Sequence, residues 1–196
     1  MKVFEPIQEK LKTSLDESRY EHTIGVMYTA ACMAMAHGYD IEKAMLAGLL
    51  HDCAKCMTHE ERVALCDAHQ VEVTASEHEN KAILHAKAGA IVAKSEYDIT
   101  DADILHAIAV HTTGEPNMNM LDKIVYIADY IEPNRDKAPN LTHVRELAFR
   151  NLDACMAEIL HDTLNFLSGR KGSIDPATQL TYEFYKQYKE ESHDIK

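Results

Sequence analysis

No apolar run in this 196-residue sequence approaches the roughly 18 residues of a membrane span, so a transmembrane protein is not expected. The opening Met1-Lys-Val-Phe-Glu-Pro6 lacks the apolar core of a secretory leader. Positive charge is scarce as well. Twenty Lys and Arg stand against 32 Asp and Glu, a formal net charge of −12, which argues against a nonspecific nucleic-acid binder. A small phosphorylated ligand stays open, because bound metal and a few local cations can reverse the local field. The five cysteines are odd in number, fitting reduced thiols in the cytoplasm better than a disulfide framework. Internal repeats, low-complexity blocks and linkers are missing too. The expectation is one domain over residues 1–196, long enough for a core without staples. With 46% hydrophobic residues, wholesale disorder is excluded.

Strand signals are also lacking, and the class read from the pattern is all-α. Pro6 to Thr13 reads as a short first helix, with Ile7 and Leu11 on one side. Ser14-x-x-Glu17 has the form of a capping box opening a long helix to Ala36, which Gly38 ends. Asp40 can cap the next helix, and Thr58-x-x-Glu61 is a second capping box. The polar stretch from Gln70 to Glu79 is expected to be a loop. Lys81 to Lys94 reads as a buried helix in which Gly89, costing roughly 1 kcal/mol against alanine, implies close approach of another element. Further helices are expected over Asp101–His111, Asn119–Ile131 (stopped by Pro133), Thr142–Arg150 and Leu152–Leu167. Asp175-Pro176 opens a last one to about Glu191, with the tail from Gln187 frayed.

The stretch that organises the chain is Leu46-Ala-Gly-Leu-Leu-His-Asp-Cys-Ala-Lys55. An apolar run ends in adjacent His51 and Asp52, and a buried carboxylate beside an imidazole needs a partner or a metal. His22, His85, His111 and Asp129 likewise sit inside apolar helices or at their ends. Asp129 lies within Ile-Val-Tyr-Ile-Ala-Asp-Tyr-Ile, where an unpaired carboxylate is hard to tolerate. His106 precedes His111 by five helical residues and so projects about 140° away; it is set aside as a surface or packing residue. Four imidazoles and two carboxylates without thiolate suit iron, manganese or a similar divalent ion better than structural zinc. Six ligands exceed what one catalytic metal needs, but they suit two metals bridged by a carboxylate, an arrangement fit for phosphoryl hydrolysis.

Other patterns carry less. His161-Asp162 lies on an amphipathic helix near Glu158 and reads as a solvated face. Cys53-x-x-Cys56 has redox spacing but neither a βαβ context nor a second pair for zinc. The Met27, Met33, Met35 and Met45 group reads as adaptable core.

His22, His51-Asp52 and Asp129 resemble the signature of the HD-domain metal-dependent phosphohydrolases. Arg19-Tyr-Glu-His-Thr-Ile-Gly25, Ala47-Gly-Leu-Leu-His-Asp-Cys-Ala-Lys55, His111-Thr-Thr-Gly114 and Tyr126-Ile-Ala-Asp-Tyr-Ile-Glu-Pro-Asn-Arg135 are similar to the bacterial YqeK-type family, the symmetrical diadenosine tetraphosphate hydrolases. The likeness spans Arg19 to Leu167. Glu115, after the His-Thr-Thr-Gly block, departs from the polar or basic residue expected there.

The resemblance implies an HD-type helical bundle, with a metal-binding core over about 19–135 and C-terminal helices over about 142–191. It implies two divalent ions, iron first and manganese or cobalt as alternatives. One would be held by His22, His51, Asp52 and Asp129, the other by His85 and His111, with Asp52 bridging. A hydroxide between them would cleave the tetraphosphate at its centre to give two ADP. Lys55 is the candidate for neutralising, or protonating, the leaving phosphate. Asn134 and Arg135 are candidate phosphate or ribose contacts, and Thr113 and Gly114 would bring backbone amides to the phosphates. The partner is a small nucleotide, with neither nucleic acid nor membrane; an apolar face on one of the last three helices leaves a homodimer open. Competing readings are a hydrolase of another nucleotide on the same scaffold, a non-catalytic nucleotide-binding module, and a helical interaction protein with structural histidines.

Overall fold

Two of the first turns show how this chain chooses its helix boundaries. In the computed structural model, which describes residues 4–169 and 174–189, helix α1 (Glu5–Ser14) takes in Ser14 as its last residue. The Ser14 hydroxyl donates back to the Lys10 and Leu11 carbonyls, so it is not the cap of the next helix. That task falls to Asp16, whose carboxylate accepts from the Arg19 amide at 2.8 Å. Helix α2 (Glu17–His37) then ends at Gly38, which has a left-handed φ of 67°, a conformation glycine adopts without steric cost.

Helix α3 (Ile41–Leu50), capped by Asp40 as expected, is the central rod and packs on α2, α7 and α8. Gly48 is what lets α2 come close. A Cβ there would lie 3.1 Å from the Met27 Cα and 3.2 Å from the Val26 carbonyl oxygen, both rigid backbone. Gly48→Ala gains roughly 1 kcal/mol of helix propensity but must push α2 from α3, at about 1–3 kcal/mol for overpacking. The expected outcome is a net loss of up to about 2 kcal/mol, read as a fall in melting temperature of a few degrees. A variant melting above the parent would show that the two helices can part freely.

Helix α4 (His59–Ala68) opens on the Thr58–Glu61 capping box. The polar stretch expected to be a loop contains α5 (Ala75–Glu79), held by a Thr74–Glu77 box and by Lys87 donating to Glu77 at 2.8 Å. Five residues are too few for a hydrophobic period to register. In α6 (His85–Glu96) the close approach expected at Gly89 is present: a Cβ there would sit 3.2 Å from Ile108 Cγ2 and 3.4 Å from the His51 carbonyl oxygen. Helices α7 (Ala102–Val110) and α8 (Met120–Ile131) start on Asp101 and on an Asn119–Asp122 box.

Helix α8 is buried along most of its length between α2, α3 and α7 on one side and α10 (Leu152–Ser168) on the other. Helices α9 (Leu141–Ala148) and α11 (Pro176–Tyr185) flank α10. A 3-10 turn covers 186–188; the expected continuation to Glu191 and most of the frayed tail lie outside the described residues. Among the described residues there is no strand, and no helix is long and apolar enough to cross a membrane. The fold is all-α.

Candidate metal centre

The architecture brings several helix ends to one point. His51 and His111 are the C-terminal caps of α3 and α7, His85 is the first residue of α6, and Asp129 lies in the last turn of α8. His22 arrives from the second turn of α2. The carboxyl ends of α3, α7 and α8 carry partial negative charge there, which favours a cation. The four histidines and Asp52 are all less than one-tenth exposed.

Three histidines are oriented by the same local device. His51, His85 and His111 each pair Nδ1 at 2.7 Å with the carbonyl three residues earlier, on Gly48, Ala82 and Ile108. A carbonyl can only accept, so the proton sits on Nδ1 and Nε2 presents a lone pair. His22 follows the same rule with a side-chain partner, Nδ1 donating to Glu132 Oε1 at 3.1 Å. All four Nε2 atoms therefore point inward as bare donors of electron pairs.

They converge on Asp52 from two sides. Its Oδ1 lies 2.9 Å from His85 Nε2 and 3.6 Å from His111 Nε2. Its Oδ2 lies 3.4 Å from His51 Nε2 and 3.9 Å from His22 Nε2. On that second side Asp129 Oδ1 stands 2.9 Å from His22 Nε2 and 3.9 Å from His51 Nε2. The structure thus brings the six ligand candidates together, one oxygen of Asp52 turned to each group.

Electrostatics test whether a cation belongs here. His85 Nε2 and His111 Nε2 are 3.1 Å apart, two lone pairs facing one another. His22 Nε2, His51 Nε2 and Asp52 Oδ1 are buried without any hydrogen bond. Burial pushes His85 down to about 4, so it is neutral at pH 7. Burial opposes the charge on Asp52, and the Arg19 guanidinium donating to its Oδ2 favours the ionised form. Neutral nitrogens and ionised carboxylates closing on one volume form a cation-binding donor set. No thiolate joins them: Cys53 Sγ, with its pKa raised by burial, donates to the Gly89 carbonyl, and Cys56 is exposed.

Positive groups edge the cluster. Arg19 Nη1 donates to Asp52 Oδ2 at 2.7 Å, a contact that sequence reading missed, although Arg19 stands one helical turn before His22. Lys55 Nζ lies 3.0 Å from His85 Nε2 and 3.7 Å from Asp52 Oδ1. The turn that carries Lys55 is fixed by buried Arg62, which donates to the Ala54, Lys55 and Lys81 carbonyls. Arg135 donates to Asp129, from Nη2 to Oδ1 at 2.6 Å and from Nε to the backbone carbonyl at 3.0 Å.

A cavity of about 610 Å³ opens beside the cluster, with Arg19, His22, Asp129, Asn134 and Arg135 in its wall, a volume suited to one nucleotide-sized ligand. Its far wall includes Asp162 and Phe166 of α10. Asp162 is 8% exposed, so this carboxylate is not the solvated face its helical pattern suggested. Thr113 and Gly114 are placed elsewhere. The Gly114 amide is already donated to the Val110 carbonyl at 2.8 Å, and a Cβ there would lie 2.8 Å from Thr181 Cγ2 and 3.2 Å from Met118 Sδ. Glu115 is turned to His106, 3.2 Å from its Nε2, while His106 Nδ1 meets Asp122 at 3.0 Å. His106 therefore belongs to a separate cluster.

The chain is similar to several known proteins. An HD domain is matched over residues 19–134. The symmetrical bis(5'-nucleosyl)-tetraphosphatase of Bacillus subtilis is 38% identical over 89% of this chain and 92% of its own. Its namesake from Halalkalibacterium halodurans is 41% identical over 88% and 91%. The crystal structure of a predicted HD superfamily hydrolase involved in NAD metabolism from Clostridium acetobutylicum superposes with a TM-score of 0.91 at 37% identity, covering 95% of this chain and 98% of that one. The chain belongs to the HD domain family and, within it, to the symmetrical bis(5'-nucleosyl)-tetraphosphatases.

Proposed function

We propose that this protein hydrolyses diadenosine tetraphosphate at the centre of its phosphate chain, consuming one water and releasing two ADP, at a two-metal centre. The observation that carries the reading is the division of Asp52, one oxygen toward His85 and His111 and the other toward His22, His51 and Asp129. The names of the relatives supply the substrate. Iron is the first choice of metal because the family resemblance implies it; the nitrogen and oxygen donors without thiolate accept manganese and cobalt as well.

Bound divalent ions supply a water of lowered pKa and stabilise charge on the phosphoryl oxygens. The protein's own groups do the rest. Asp52 and Asp129 provide negative charge in the donor set, and the carbonyls behind His51, His85 and His111 hold each ring with its lone pair inward. Arg135, at the cavity wall with its side chain 41% exposed, can present further guanidinium N–H groups to a phosphate. Asn134 stands next to it for ribose or phosphate. Lys55, half-buried beside Asp52 and His85 and with its pKa lowered by that partial burial, neutralises or protonates the leaving phosphate. The Gly114 amide takes no part in this reading, since it is already committed to Val110.

The test is product chromatography after anaerobically purified, iron-loaded protein meets diadenosine tetraphosphate. ADP as sole product is expected. AMP with ATP would overturn central cleavage, and no product with metal present would move the substrate to another nucleotide. A protein without stoichiometric metal would favour structural histidines instead.

A further inference from the structure

Among the histidines of the centre, His22 alone is oriented by a side chain rather than a backbone carbonyl. That side chain is Glu132, 1% exposed, at the C-terminal cap of α8. Its Oε1 accepts from His22 Nδ1 at 3.1 Å, and its Oε2 accepts from the Asn134 amide at 2.8 Å. Both donors are N–H groups, and both need an acceptor. Gly25 makes room for the carboxylate: a Cβ there would fall 2.5 Å from Glu132 Oε2. The backbone around it is fixed independently, because Arg145 donates to the carbonyls of Ile131, Glu132 and Arg135, each at 3.0 Å.

We propose that Glu132 is a positioning residue that couples the metal centre to the substrate cavity: one oxygen fixes the His22 tautomer for metal binding, and the other fixes the Asn134–Arg135 segment in the cavity wall. The inference rests on the two-metal reading above and extends it to a residue in contact with neither ion. A carboxylate orienting a ligating histidine sets both ring direction and which nitrogen carries the proton. Glu132 adds a second load, because the same group holds the backbone of a segment that faces the phosphates.

The chemistry allows a near-isosteric test. Glutamine has one acceptor oxygen and one donor amide, so Glu132→Gln cannot accept from N–H donors at both of the positions that Oε1 and Oε2 occupy. If its amide faces His22, the imidazole proton moves to Nε2 and the lone pair needed by the metal is lost. If its amide faces Asn134, two donors oppose one another and the segment bearing Arg135 is displaced.

The experiment is titration of metal-free protein with Co²⁺, followed by its visible absorption, in the parent, Glu132→Gln and Gly25→Ala. Gly25→Ala leaves both hydrogen-bond donors chemically intact but crowds the carboxylate. In Glu132→Gln with the amide toward His22, one Co²⁺ equivalent is expected to bind about 10–100-fold more weakly while the other keeps its affinity, with the helices retained by circular dichroism. With the amide toward Asn134, KM for diadenosine tetraphosphate is expected to rise in the loaded enzyme as the Asn134–Arg135 segment loosens. Gly25→Ala is expected to shift the same equivalent in the same direction. Parent affinity for both equivalents in both variants together with an unchanged KM would overturn the proposal, as would equal loss of both equivalents in Glu132→Gln. A parent that takes up only one equivalent would sink the two-metal reading instead. Glu132 would then be judged on that single ion by the same 10–100-fold criterion.

Discussion

Asp52→Ala is expected to abolish turnover and metal retention together. Alanine would leave the four imidazoles with Asp129 as the sole carboxylate facing them across the centre, because Asp52 separates the His85–His111 side from the His22–His51 side. On the proposed two-metal reading, the ions would then lose the carboxylate between them. Several kcal/mol of transition-state stabilisation come from such ions, and each 1.36 kcal/mol is tenfold in rate. The fall should therefore be at least about 10³-fold. Removing one partner of a buried pair can also cost stability, but Arg19, which donates to Asp52 Oδ2, is 28% exposed in its side chain and can turn to water. Circular dichroism should show the helices retained. Asp52→Asn keeps the volume and loses the charge, so it is expected to follow alanine in metal loss. Metal analysis beside product chromatography checks both, and an active, metal-replete Asp52→Ala protein would sink the bridging role.

The parts of this molecule legible in the sequence are those encoded over a few residues. The caps at Asp40, Thr58, Asn119 and Asp175 are local hydrogen bonds, and the cap residues at Asp40, Thr58 and Asp175 could be read directly. The His51-Asp52 pair and Asp129 stood out because an ionisable side chain interrupts an apolar run. Local reading failed where two local solutions competed. Ser14 and Asp16 both fit a cap, and the choice went to Asp16 because Ser14 was absorbed into α1.

What the sequence concealed depends on elements distant in the chain. Glu132 follows an apolar helix and precedes Pro133, so it resembles an ordinary acid at a helix end. Its burial is set by Gly25, 107 positions earlier, on α2. Arg19 and Asp52 are 33 residues apart, and nothing local signals their contact. Asp162 sits on a helix whose amphipathic pattern suggested solvent, yet it is buried once α10 packs on its neighbours in the fold. Gly89 was the exception. A glycine in mid-helix has a measurable local cost, so it could be taken as a sign of close packing before the partner, Ile108, was known.

Lys55→Ala is expected to separate binding from chemistry. The ammonium lies 3.0 Å from His85 Nε2, where it competes with any metal ion for the same lone pair. Its removal should therefore leave metal affinity equal to the parent's or tighter. Turnover should nevertheless fall by about 10²–10⁴-fold, the range for a general acid or a positioned charge. Lys55→Arg then distinguishes the two roles. Arginine restores the positive charge but does not give up a proton at accessible pH. Recovery of most of the lost rate in Lys55→Arg would identify charge neutralisation at the leaving phosphate, whereas turnover as low as in Lys55→Ala would identify proton delivery. The lowered pKa of Lys55, caused first by burial and opposed by Asp52, favours proton delivery, because a lysine nearer neutrality gives up its proton more readily. Steady-state kinetics on metal-replete variants decides the matter, and unchanged turnover in Lys55→Ala would remove Lys55 from the reaction.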